Sequence, residues 1–232
     1  MVLVARDRGR LGALAKDLDA EWGVACEVLA ADLTEPDQLA AVEARVEDSE
    51  RPIEILVNNA GFGTFGRFDR LQRDIEEREI LLNVTALVRL THAAVEAMIP
   101  RGRGAVLNVS SVAGFQPTPR NATYGATKAF VTSFSQALHE ELKGTGVTVT
   151  VVCPGYTRTE FQERAGLDMS GIPEFLWQNA HEVAEIALAG LRKGKAVVVP
   201  GGWNRALVSV ASVLPDVATR KVAATVVRRF RR

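Results

Sequence analysis

A chain of 232 residues is long enough for one α/β domain with a substantial core. Its 28 basic and 28 acidic side chains cancel, which argues against nucleic acid as the principal partner. Cys26 and Cys153 make no disulfide framework, no apolar run reaches the ~20 residues of a spanning helix, and Met1–Asp7 lacks a secretory apolar region. The expectation is a cytoplasmic protein without a transmembrane segment.

In chain order, Val2–Ala5 is a short apolar run expected to form a strand almost at the first residue. Leu11, Leu14, Leu18 and Trp22 predict an amphipathic helix over Gly9–Trp22. Val24–Ala30 is the next expected strand, and Thr34-x-x-Asp37 resembles a capping box that opens a helix through Val46. Ile53–Val57, apolar except for Glu54, is expected to be a strand without a wet face, which suits a parallel sheet covered on both sides. A helical region spans roughly Gln72–Met98. Strand, helix and strand then recur as Ala105–Val109, Thr123–Lys143 and Val147–Cys153.

Residues 156–179 show no sustained period. His181–Leu191 is an expected helix and Ala196–Val199 a last strand. From Trp203 the chain predicts two helical segments broken at Pro215, so residues 203–232 form a helical extension of a single domain. Its end is basic, with Arg228, Arg229, Arg231 and Arg232 beside Val226, Val227 and Phe230. A solvated helix end accounts for this, a weak membrane-surface contact being the alternative. Strands alternating with helices indicate βαβ units and a doubly wound sheet.

The chemistry concentrates between Ser110 and Lys128. Tyr124 and Lys128 are four residues apart on one predicted helix face. A phenol is a poor acid–base group at neutral pH, and a neighbouring ammonium is expected to lower its pKa. Ser111, at the end of the preceding strand, could hydrogen-bond the same substrate oxygen.

With these residues the chain resembles the short-chain dehydrogenase/reductase family. Asn58-Asn-Ala-Gly61, Leu82-Asn83-Val84 and Pro154-Gly-Tyr-Thr-Arg-Thr159 match further motifs of that family in order. The resemblance implies a Rossmann-like doubly wound parallel sheet with helices on both faces. It also implies hydride transfer between nicotinamide and a carbonyl or secondary alcohol. Tyr124 would exchange the proton, Lys128 would tune Tyr124 and hold the nicotinamide ribose, Ser111 would bind the substrate oxygen, and Asn83 would anchor a water in a proton relay. Arg6 past the first strand suits the 2′-phosphate of NADP over the hydroxyl of NAD. Asp32 would meet the adenine amino group, Asn59, Ala60 and Gly61 the adenosine ribose side, and Pro154, Gly155 and Thr159 the nicotinamide.

The family's opening strand and T-G-x-x-x-G-x-G turn have no counterpart here, so the domain is expected to lack its first strand and first helix. Gly61-Phe-Gly-Thr-Phe-Gly66 is a literal G-x-G-x-x-G after a strand, yet the next stretch does not start a convincing helix. A glycine-rich loop beside the substrate mouth is the simpler reading. The resemblance also implies a homodimer or homotetramer built on the long helices. Phe115, Tyr156, Phe161, Phe175, Leu176 and Trp177 suggest an apolar pocket wall. Competing chemistries lack their patterns: there is no G-x-S-x-G elbow, and His92, His139 and His181 are scattered without zinc-ligand spacing. Cys153 is expected to be a small buried residue.

Overall fold

The computed structural model describes residues 1–165 and 171–213. It opens with β1 (Val2–Ala5), α1 (Arg8–Trp22), β2 (Glu27–Ala30), α2 (Pro36–Glu47) and β3 (Ile55–Asn58). A long helical run follows as α3 (Arg73–Ile80), a π-helical turn (Leu81–Ala86) and α4 (Leu87–Met98). Then come β4 (Gly104–Val109), α5 (Ala122–Glu141) and β5 (Val147–Val152). The remainder is β6 (Thr157–Arg158), α6 (Phe161–Arg164), β7 (Gln178–Asn179), α7 (Ala180–Arg192), β8 (Val197–Val198) and α8 (Gly202–Val213). The second helical segment and the basic arginines expected beyond Pro215 lie outside the described residues.

Local chemistry sets the helix ends. The Asp7 side chain accepts the Arg10 N–H at 3.0 Å and caps α1, while Gly23 closes it in the left-handed region at φ 63°. The capping box expected at Thr34 does not form. The Thr34 hydroxyl and N–H instead both donate to Asp32 Oδ1, at 2.7 and 3.0 Å, closing a turn. α2 starts two residues later at Pro36, whose missing N–H costs nothing in a first helical turn. The pair β6 and β7, joined in parallel, falls in the stretch where the sequence shows no period.

The sheet is parallel in order β3-β4-β5-β8, with β1-β2 a separate parallel pair. One core nonetheless unites them. Val4, Leu29 and Leu56 pack on the buried side chains of Leu39, Val42, Leu90, Ala94, Met98 and Val106, so α2 and α4 lie under both sheets. Alternation along β4 sends Leu107 to the opposite face, where it meets Val152, Ala187, Leu191 and Val198 beneath α7. This two-faced burial is the expected doubly wound α/β architecture. Between β1 and β3 the ladder is interrupted, and Ile55 and Val57 of β3 are about half exposed (50% and 48%).

The helical run Arg73–Arg101 is 29 residues long with a mean hydropathy of 1.3 in its most apolar window, enough by composition to cross a membrane. Its apolar stripe is already occupied: Leu87, Leu90, Ala93, Ala94 and Met98 are all buried against the sheet and α2. It is built as a core helix.

Polar side chains cross this core as one connected chain. The Asn58 amide donates to Thr91 Oγ1 at 3.0 Å and to Asn108 Oδ1 at 2.9 Å. The Asn108 amide donates to Ser135 Oγ at 2.9 Å, which donates to the Val131 carbonyl at 2.7 Å. The network links β3, β4, α4 and α5 just below the strand ends that carry the candidate site.

Candidate active site

Tyr124 and Lys128 sit in the first two turns of α5, one turn apart on one face. Ser111 follows β4 and caps a short 3₁₀ turn, its Oγ accepting the Ala113 N–H at 3.1 Å. The three residues converge: the Ser111 hydroxyl acts on the Tyr124 phenol, and Lys128 Nζ lies 5.6 Å from the Tyr124 ring centre. The neighbouring serine has the structural task. Ser110 Oγ donates to the Lys128 carbonyl at 2.7 Å and touches Thr132 Oγ1, fastening α5 to the strand end.

The electrostatics differ from what the Tyr–Lys spacing suggests. The Tyr124 phenol is pushed up to about 12, not down: burial raises it, the Ser111 hydrogen bond only partly opposes this, and the Glu79 charge adds to the rise. Lys128 is only 6% exposed, and burial brings its ammonium down to about 8 against the opposing pull of Cys153 and Glu79. Its Nζ donates to the Val109 carbonyl at 2.8 Å. A phenol that keeps its proton through neutrality is equipped as a donor. Burial likewise pushes the Cys153 thiol up to about 11, as suits an inert core residue.

Asn83 lies in the π-helical turn and is 2% exposed. Its side chain grips the backbone of Phe62, accepting from the N–H at 3.1 Å and donating to the carbonyl at 2.8 Å, and also donates to Thr127 Oγ1. A π turn of this kind re-aims one side chain within a continuous helix.

The loop Gly61–Gly66 explains its glycines by close approach. A Cβ on Gly63 would stand 2.7 Å from Tyr124 Cδ2, and one on Gly61 would stand 2.9 Å from Asn83 Oδ1. Only a 3₁₀ turn (Phe68–Arg70) follows, without the helix N-terminus that a phosphate-binding G-x-G-x-x-G needs.

The remaining predicted contacts ring this centre. Arg6 is exposed, its guanidinium 3.9 Å from Asp32 Oδ2, where Arg78 also pairs at 3.0 Å. Burial alone would raise the Asp32 carboxyl, but its Thr34 hydrogen bonds with Arg78 and Arg6 hold it below the usual range. Asn59 and Ala60 are exposed at the end of β3. The Pro154 carbonyl accepts the Val112 N–H, Gly155 N–H donates to Gln178, and exposed Thr159 caps Phe161 through its Oγ1. Of the expected apolar wall, Phe161 packs on Tyr124 with ring centres 5.5 Å apart, and Tyr156 packs on Trp177 at 5.9 Å. Phe115 instead packs on Leu87 and Val131 in the core. The sequence reading passed over Gln178 and Asn204, which brace Gly155, and over Thr64, Glu76 and Glu79 beside Tyr124.

A parallel doubly wound sheet carrying serine, tyrosine and lysine at the carboxyl ends of its strands defines a Rossmann-like oxidoreductase. Residues 1–170 match the short chain dehydrogenase family, and the chain belongs to it. It is 36% identical over 174 residues to the inactive 2-(S)-hydroxypropyl-CoM dehydrogenase 2 of Xanthobacter autotrophicus, covering 75% of this chain and 74% of that protein. It is 38% identical over 163 residues to sulfoacetaldehyde reductase of Chromohalobacter salexigens, covering 69% of this chain and 64% of the reductase. A solved short-chain dehydrogenase from Sphingobium yanoikuyae in complex with NADPH superposes with a TM-score of 0.82 at 42% identity, covering 92% of this chain and 86% of that one.

Proposed function

We propose that the protein is a cytoplasmic NADP-dependent oxidoreductase acting on an apolar ketone or secondary alcohol, with Ser111, Tyr124, Lys128 and Asn83 as its working residues. One observation carries this reading: a half-buried, protonated Tyr124 whose phenol is acted on by the Ser111 hydroxyl, with the Lys128 ammonium beside its ring. The donor set fits the dinucleotide. Lys128 spends one of its three donors on Val109, and the Cβ missing from Gly61, which would stand 3.6 Å from Nζ, leaves space beside the ammonium for ribose hydroxyls. Arg6 is exposed and only loosely paired with Asp32, so it can turn to a 2′-phosphate, while Asp32, Asn59, Ala60, Gly61, Pro154, Gly155 and Thr159 follow the carboxyl ends of β2, β3 and β5. When bound, the nicotinamide supplies the hydride. Ser111 orients the substrate oxygen, Tyr124 gives it a proton in reduction or takes one in oxidation, and Lys128 stabilises the tyrosine's charged form. Asn83 fixes the loop that covers them and would anchor a water in a proton relay toward Lys128.

Loss of one charge-assisted bond to a 2′-phosphate in Arg6→Asp is expected to shift preference from NADPH toward NADH by ~10-fold or more. Paired titrations followed by nicotinamide fluorescence measure this, and an unchanged ratio would remove Arg6 from the site. A second reading, a binding or regulatory relative without turnover, is favoured by the 36% identity to a dehydrogenase described as inactive. Micromolar NADPH binding by the 232-residue chain supports the enzyme; a folded chain that ignores NADPH supports the binder. The long helices α4 and α5 are the proposed seat of a homodimer or homotetramer, to be measured by light scattering.

A further inference from the structure

The loop from Gly61 to Thr64 is held from two sides. Gly63 presses on Tyr124 and Phe62 is gripped by Asn83, while its far end is bound by two carboxyl groups of α3. Thr64 N–H donates to Glu79 Oε2 at 3.1 Å, and Thr64 Oγ1 lies 3.1 Å from the same oxygen. Thr64 Oγ1 is also hydrogen-bonded to Glu76 Oε1, and the hydroxyl of Thr123, next to Tyr124 in sequence, donates to Glu76 Oε2. Glu79 is fully buried and Glu76 is 9% exposed.

Two ionised carboxylates cannot satisfy this arrangement. Thr64 has one hydroxyl proton. Donated to Glu76, it leaves lone pairs facing each other between Thr64 Oγ1 and Glu79 Oε2, unless Oε2 carries a proton of its own. A neutral Glu79 donates to Thr64 Oγ1 while accepting the Thr64 N–H. Its other oxygen, Oε1, is buried without a hydrogen-bond partner among the described residues, which a neutral carbonyl tolerates far better than a carboxylate.

We propose that Glu79 is a positioning residue for the Tyr124 chemistry: it holds one proton for the Glu76–Glu79 pair and, through Thr64, clamps the Gly61–Thr64 loop onto Tyr124 and Asn83. The role rests on the oxidoreductase reading above. Loss of the proton leaves two like charges on one hydroxyl and loosens the clamp. It also sets a negative charge toward Tyr124 and Lys128 of α5, the ionisable groups that face Glu79 besides Glu76. The burial that raises the Glu79 carboxyl to about 7, against the Thr64 N–H bond and with help from Glu76, places this loss near neutrality. An ionised Glu79 makes the phenol harder to deprotonate, so carbonyl reduction slows as the pH rises through that value.

Infrared titration of the cofactor-free chain tests the shared proton directly. A carboxylic-acid carbonyl band is expected below neutrality, half lost near pH about 7. It should be missing from E79Q and retained in Thr64→Val with its midpoint shifted downward, because the neutral acid loses the hydroxyl oxygen to which it donates. In NADPH-dependent reduction the wild-type kcat should fall with the same midpoint, and E79Q should lose that step. A band unchanged in E79Q, a midpoint unmoved in Thr64→Val, or a pH step in kcat that persists in E79Q would each overturn the proposal. A Tyr124→Phe protein with full turnover would sink the oxidoreductase reading instead and leave the infrared result standing.

Discussion

Tyr124→Phe is expected to lower kcat for carbonyl reduction by ~10²–10⁴, the usual contribution of a positioned general acid. The substitution removes one oxygen and keeps the ring that packs on Phe161, so folding should be unaffected. Lys128 is anchored to the Val109 carbonyl and not to the phenol, so NADPH affinity should change by no more than a few fold. The diagnostic result is therefore a loss in kcat with cofactor binding retained. Ser111→Ala removes the proposed substrate contact, a hydroxyl that also acts on the Tyr124 phenol, and a smaller loss is expected from it. Turnover by Tyr124→Phe within about threefold of wild type would take the proton transfer away from this residue.

Asn108→Leu, a near-isosteric change, is expected to produce a large loss of stability. Asn108 is fully buried and links Asn58 to Ser135 in this chain of bonds. Its replacement leaves one Asn58 amide hydrogen and one Ser135 lone pair without their partner, at roughly 1–3 kcal/mol for each buried group. For a chain of this size each kcal/mol moves the melting temperature by about 2–4 °C. Thermal unfolding of the chain without cofactor measures the effect. A shift below about 2 °C, the equivalent of less than 1 kcal/mol, would show that water or relaxation repairs the gap. Because the network underlies Val109 and Ser110, the variant should also weaken catalysis.

How much of this was legible follows from the range of each interaction. Ser111, Tyr124 and Lys128 could be found because their spacing is local: a strand end, then a helix on which residues four apart share a face. The parallel sheet was legible for the same reason, since continuous apolar runs such as Val2–Ala5 alternate with helical periods. Glu76 and Glu79 read along the chain as ordinary members of the charged stretch Asp74–Glu79. Nothing local distinguishes them from Glu77, which is exposed. Their burial comes from α5 and the Gly61–Thr64 loop closing over one side of α3, a tertiary event.

The chain's residues by themselves determined the class of fold, the order of its strands and helices, and the identity of the Ser–Tyr–Lys group. Only the tertiary structure decided the state of that group. Burial raises the phenol and lowers the ammonium, opposite to the shift that an exposed Tyr–Lys pair would give the phenol, because desolvation depends on what packs around a group and not on its neighbours in sequence. The same holds for the glycines of the Gly61–Gly66 loop, which serve the approach of a backbone to Tyr124 and Asn83. Composition and spacing select the groups that can react; the packing around them sets where their protons rest.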